Sequence, residues 1–213
     1  MARRRHVGWR KGPAPLSSPP RLVVIACGAL AREVRAVVEQ NGLHGIALAC
    51  LPAKLHNRPE LIAEAVRRKI ARLRPLGAPI FCAYGDCGTG GALDRVLAEE
   101  QVERLPGAHC YAFYAGLAEF EALQEQELGT FYLTDFLARH FQRLIVEGLR
   151  LERHPELFDD YFRHYRRVVY LAQAPSPALI GHARAAAGFL KLPLEIRETG
   201  FGLLETAIVE RVA

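Results

Sequence analysis

Residues 21–50, RLVVIACGALAREVRAVVEQNGLHGIALAC, decide the fold. The run RLVVIA is continuously apolar after Arg21, the mark of a strand buried on both faces. Residues 29–40, ALAREVRAVVEQ, place Leu30, Val34, Val37 and Val38 on one helical face, and Asn41-Gly42 ends that helix. GIALAC, residues 45–50, is a second strand. Strand, helix and strand in this order demand a right-handed crossover and a parallel pair.

The same rhythm continues downstream. Asn57 caps a helix that has Pro59 in its first turn and runs to Leu73 with Leu61, Ile62, Ala65, Val66 and Ile70 inward. APIFCAYG, residues 78–85, is the third strand and DRVLAEE, residues 94–100, the next helix. ERLPGAHC, residues 103–110, gives a short fourth strand. Residues 111–166 carry helical patterns with no strand between them and predict a helical insertion over the carboxyl edge. RVVYLAQ, SPALIGHARAAAGFLK and LPLEIRET then restore strand, helix and strand. The fold class expected is α/β, a mostly parallel Rossmann-like sheet forming one domain over residues 21–213.

Charge separates a tail from that body. The net charge is +5, and residues 1–20 alone contribute it through Arg3, Arg4, Arg5, Arg10 and Lys11. The other 23 basic side chains balance the 23 acidic ones, so the body carries no nucleic-acid signal. The tail holds four prolines and no periodic apolar face, and reads as a disordered basic extension. No apolar run is long enough for a secretory signal or a membrane span. A cytoplasmic location is expected, and five cysteines there are reduced thiols rather than a disulfide framework.

Cys27, Cys50, Cys87 and Cys110 each close a short apolar run just before a helical pattern. In an open parallel sheet those places share the carboxyl rim, where ligands bind. Cys27, Cys87 and Cys110 with His109 or a water form a plausible tetrahedral set for zinc or iron. The competing reading is small apolar side chains filling strand ends. Cys82, inside its strand, reads as core, and Cys50, followed by Leu51-Pro52, is the weakest candidate ligand.

YGDCGTGGALD, residues 84–94, is a strand-to-helix loop. Gly85, Gly88, Thr89, Gly90 and Gly91 are candidates to hold an anionic part of a substrate or cofactor against backbone N–H groups. No Gly-Lys-Ser/Thr follows, so it is not a Walker loop. It also differs from the S-adenosylmethionine loop of methyltransferases, since it follows the third strand and no ribose-binding carboxylate ends the next. Asp86 is a candidate general base, second-shell partner or cap. On the insertion, Thr134 reads as an N-cap, and Asp135 as a second candidate catalytic carboxylate closing over the rim.

Taken together, ACGALAREV, LPAKLHNRPE, YGDCGTGGALD, GAHCYAFYAG, GTFYLTDFLARHF, RHPEL, YLAQ and ETGFGLLE resemble an uncharacterised prokaryotic family, domain of unknown function sixteen thirty-eight. Cys27, Asp86, Cys87, His109, Cys110 and Asp135 match its characteristic polar positions. Members are often encoded near corrinoid-dependent methyltransferases. The resemblance therefore implies a setting in one-carbon or methyl-group metabolism, with a methyltransferase-system protein as a partner. Three functions are open at this stage: a thiolate metalloenzyme acting on a small molecule, a metal or corrinoid carrier, and a metal-free cysteine enzyme with Cys87 as nucleophile. No Asp-x-His-x-x-Gly signature supports corrinoid ligation through a histidine.

Overall fold

The computed structural model describes residues 19–212; all but the last two residues of the basic tail lie outside them. The chain runs through β1 (Leu22–Cys27), α1 (Ala31–Gln40), β2 (Ile46–Leu51), α2 (Ile62–Leu73), β3 (Ile80–Ala83), α3 (Ala92–Glu100) and β4 (Glu103–Arg104). It continues with α4 (Tyr111–Ala115), α5 (Leu117–Gln126), β5 (Thr130–Leu133), α6 (Asp135–Phe141), α7 (Phe158–Phe162), β6 (Arg167–Ala172), α8 (Pro177–Leu190), β7 (Leu194–Glu198) and α9 (Gly202–Glu210). The α/β class is as expected, and every strand pairing is parallel.

There are two sheets among the described residues rather than one. The first has the order β2-β1-β3-β4, the second β5-β6-β7. The difference arises at Thr130–Leu133. The sequence reading placed no strand here, between two helical patterns, but the stretch is a strand in register with Arg167–Tyr170. Four apolar residues are too few for periodicity to separate strand from helix. Gly129 is the local reason the strand starts there. A Cβ on it would stand 2.5 Å from the His164 carbonyl, and its own carbonyl accepts from the Arg166 N–H at 2.6 Å.

Each sheet is covered on both faces, which is why the strands read as unbroken apolar runs. Leu22, Val24 and Ala26 of β1 face α1, α4 and α9. Ile25 of β1 and Cys82 of β3 face α2 and α3. In the second sheet, Leu133, Val168, Tyr170 and Ala172 face α6, α7 and α8, while Tyr132, Val169 and Leu171 face α4 and α5. Helix α4 thus joins the two sheets: Phe113 and Tyr114 enter the first core and Ala112 the second. The start of α6 touches the 3-10 turn Gly28–Leu30 beyond β1, so the two carboxyl rims face each other.

Asp135 locks the second rim. Buried to 3% exposure, its carboxylate accepts hydrogen bonds from the Tyr170 hydroxyl at 2.6 Å and from the N–H groups of Gln173 and Ala174 at 3.1 and 3.0 Å. Its own N–H donates to Gln173 Oε1 at 2.8 Å. Thr134 caps α6 by accepting from the Leu137 N–H at 3.3 Å, as its sequence position predicts. Removing a carboxylate that satisfies two buried donors and a third at the edge costs more than removing a cap. In urea denaturation, Asp135→Ala is expected to lose about 3 kcal/mol or more, and Thr134→Ala about 1 kcal/mol. Equal losses would contradict the locking role.

Candidate functional site: a thiol rim and an arginine cleft

The chain leaves β1 for β2 on one side and returns for β3 on the other. The reversal opens a crevice at the carboxyl ends of β1 and β3, the place where open α/β sheets bind ligands. Cys27 ends β1 and Cys87 follows β3, so both stand at that crevice. Cys110 arrives differently from the sequence expectation. Only Glu103–Arg104 pair as strand; Pro106-Gly107 break it, and residues 105–110 form a loop that delivers Cys110 to the start of α4. Arg104 braces this loop by donating to the carbonyls of Leu105 at 2.6 Å and Gly107 at 3.2 Å, while Asp94 holds its guanidinium at 2.6 and 2.9 Å.

The three sulfurs share one neighbourhood. Burial raises the pKa of Cys110 most, and the nearby Cys87 and Cys27 raise it further. Cys87 is pushed up to about 11 by burial, then by Cys27, against N–H groups of Gly85 and Cys110 directed at its sulfur. Burial likewise raises Cys27, opposed by the Ala29 N–H and the Tyr84 hydroxyl. Tyr84 Oη is buried beside this sulfur with no hydrogen bond of good geometry. Cys87 also adopts φ 51°, a left-handed conformation that costs a non-glycine residue about 1–3 kcal/mol. All five cysteines are free; Cys82 is fully buried in β3, and Cys50 lies within β2 opposite Ala26. Among the described residues, no three His, Cys, Asp or Glu side chains stand ready-set around a single metal point.

The glycine loop is folded around its own anion. The Asp86 carboxylate accepts from the Thr89 hydroxyl, the Gly91 N–H at 3.0 Å and the Gly90 N–H at 3.2 Å. Burial alone would raise the Asp86 pKa; these hydrogen bonds outweigh it and leave the group below its usual value. Of the residues expected to cradle an external anion, Gly90 and Gly91 thus direct their N–H groups at Asp86. Gly88 is exposed and takes φ 84°, with Pro59 its nearest neighbour. Gly85 serves packing: a Cβ there would stand 3.1 Å from the His109 backbone, so only glycine lets the 105–110 loop lie against β3. Two backbone bonds complete that seam, Cys87 N–H to the Ala108 carbonyl at 2.7 Å and Asp86 N–H to Gly107 at 3.2 Å.

His109 precedes Cys110, and its ring lies 6.1 Å from that of Tyr111. His56 faces it: desolvation and, less strongly, His109 lower the His56 pKa. Arg58 pairs with Glu60 at the surface. Gln173 is buried and spent on Asp135 and the Leu171 carbonyl.

Sequence reasoning missed Glu33, and it paired Arg139 only with Asp135 along one helix face. Between α1 and α6 lies a cavity of about 400 Å³ lined by Arg32, Glu33, Arg35, Asp135 and Arg139 among others. Glu33 is 5% exposed, and one of its carboxylate oxygens has no hydrogen-bond partner. Burial raises its pKa first and Asp135 adds to that, with Arg139 and Arg32 opposing. In the sequence, Glu33 falls on the buried face beside Val34 and Val37, and a lone acid on an apolar helix stripe was the available signal.

No curated protein and no solved structure matches the chain. A family model does match, over residues 50–208, which takes in Asp86, Cys87, His109, Cys110 and Asp135 and leaves out Cys27. By that match over most of its length, the chain belongs to the family described as Protein of unknown function (DUF1638).

Proposed function

We propose that this protein is a thiolate metalloprotein of the reducing cytoplasm that acts on a small molecule in the cleft between its two sheets. Cys27, Cys87 and Cys110 would hold zinc or iron, with His109 or a water as fourth partner. The observation that carries this reading is the convergence of three sulfurs from three separate chain segments at the β1–β3 switch point. Backbone N–H groups near sulfur, here those of Ala29, Gly85 and Cys110, which oppose the rise in thiol pKa, are the usual neighbours of a metal-bound thiolate. The donor set suits zinc or iron. The sulfurs are not at ligating distance of one point, so binding would draw in the two loops that carry Cys87 and Cys110. When bound, such an ion supplies Lewis acidity and an activated water or thiolate.

The chain's own residues would do the rest. Asp86 fixes the glycine loop and so the position of Cys87. Arg104 and Gly85 fix the loop of Cys110, and Tyr84 closes the crevice below. The family resemblance adds one-carbon or methyl-group metabolism as the setting, with a methyltransferase-system protein as partner. A metal-free cysteine nucleophile is the weaker reading, because such an enzyme lowers its thiol pKa, and all three thiols here are raised.

Anaerobically purified protein is expected to contain close to one zinc or iron per chain by elemental analysis. Cys27→Ser, Cys87→Ser and Cys110→Ser should each lose it, while Cys50→Ser should keep it. Metal that a chelator strips at once would mark a carrier instead, and metal-free protein throughout would sink the proposal. The pH dependence follows from the raised thiols. In metal-stripped protein, Cys87 is neutral at pH 7, so alkylation should be slower than for an ordinary thiol and should climb until the pH passes about 11. Because ligation releases protons, zinc affinity should rise with pH over the same range. Fast alkylation of Cys87 at pH 7 would instead favour the nucleophile reading.

A further inference from the structure

The cleft between α1 and α6 carries groups that the fold itself leaves unmatched. Arg32 and Arg35 project from α1 of the first sheet's layer, and Arg139 from α6 of the second. Among the described residues, none of the three forms an ion pair, although most other charged clusters on this molecule do. One guanidinium nitrogen of Arg139 is buried without an acceptor, and one oxygen of the buried Glu33 is without a donor. Leaving a buried donor or acceptor unmade is costly, and native proteins concentrate such groups where something else completes them. Asp135 lines the same cavity but is spent on Tyr170, Gln173 and Ala174, so it does not neutralise the arginines.

His140, beside Arg139, has its pKa lowered by burial and then by Arg143, Arg139 and Arg32, which places these guanidinium groups close together. Glu39 lines the cavity as well, so its three arginines face three acids, Glu33, Glu39 and Asp135. His140 also departs from helical geometry, at φ −115° and ψ 15°, and a π-type turn, Gln142–Glu147, follows. Irregularities of this kind inside helices recur at functional sites.

We propose that this cleft binds a small anionic molecule carrying a phosphate or carboxylate group together with a hydroxyl. Arg139 grips the anion in forked geometry, Arg32 and Arg35 close on it from the opposite helix, and Glu33 meets the hydroxyl. The cavity, at about 400 Å³, accommodates a molecule of a few carbons. Because the guanidinium groups come from both layers, the bound anion ties the two sheets together across their facing rims. Planar two-point recognition of phosphate and carboxylate is what arginine does best. The inference stands apart from the metal, since it uses no thiol.

The test is isothermal titration calorimetry on metal-stripped full-length protein with three probes: inorganic phosphate, glycerol phosphate and glycerate. At least one is expected to bind with a Kd of about 1 mM or tighter. Arg139→Met should weaken it at least about tenfold, and Arg139→Lys should fall between, because a point charge replaces the fork. Glu33→Gln should weaken the hydroxylated probes more than inorganic phosphate. Glycerol phosphate binding without glycerate identifies a phosphate ligand, and the reverse identifies a carboxylate. Should Arg139→Met not fold, Arg35→Met, an exposed change, must still weaken binding by about threefold. No binding by any probe, or affinity unchanged in Arg35→Met and Arg139→Lys, overturns the proposal.

Discussion

The position of β1 between β2 and β3 governs the rest of this molecule. A central strand must be buried on both faces, and Val23, Val24, Ile25 and Ala26 are all at 0% exposure. Its neighbours are reached by crossovers that leave in opposite directions, which places a switch point at the carboxyl end of β1, beside Cys27. The chain fills the surroundings of that crevice with two loops, 84–91 and 105–110, that are welded to each other by backbone hydrogen bonds and by the close approach at Gly85. The thiols of Cys87 and Cys110 are placed by that weld. The second sheet then presents its own carboxyl rim to the first, held at the join by α4 and by the start of α6.

Carboxylates on the two rims divide by what they already hold. Asp86 and Asp135 were the attractive catalytic candidates, and each accepts three hydrogen bonds, Asp86 from its own loop and Asp135 from Tyr170 and the two residues that follow β6. A carboxylate so engaged holds the geometry of the segments around it. Glu33 is the opposite case. It is buried beside Asp135 and near two arginines, with an oxygen unsatisfied. A buried acid in that condition is expensive to keep unless the site uses it. Among the described residues, the buried side chains with an unpartnered polar atom are Glu33 and Arg139 in the cleft, Tyr84 in the crevice, and Tyr132 in the second sheet.

Much of the first sheet was readable because its strands obey a single rule. LVVIAC and IFCA are unbroken apolar runs of strand length, each followed by a helix with one apolar face. The second sheet was half hidden. RVVYLA reads as a strand by the same rule, but TFYL sits between helical patterns and is too short to declare a period. Its β-forming residues and the preceding glycine were the usable cues. The strand ends placed Cys27 and Cys87 beside one another beyond β1 and β3, whereas Cys110 lies on a loop after β4 and not at a strand end. What the sequence could not reveal was occupancy. Whether the N–H groups of Gly90 and Gly91 face a ligand or Asp86 depends on a turn geometry that no residue pattern specifies. The Glu33–Arg139 cleft depends on how two sheets meet, which is tertiary information throughout.

The central claim is that three sulfurs from separate segments of the chain form one ligand set. X-ray absorption at the zinc edge of the zinc-loaded protein addresses it directly, because scattering distinguishes sulfur from nitrogen and oxygen neighbours. The account predicts about three sulfurs at about 2.3 Å and one lighter neighbour at about 2.0 Å, with one sulfur fewer in Cys87→Ser. A shell of nitrogen and oxygen alone, or one unchanged by Cys87→Ser, would contradict it.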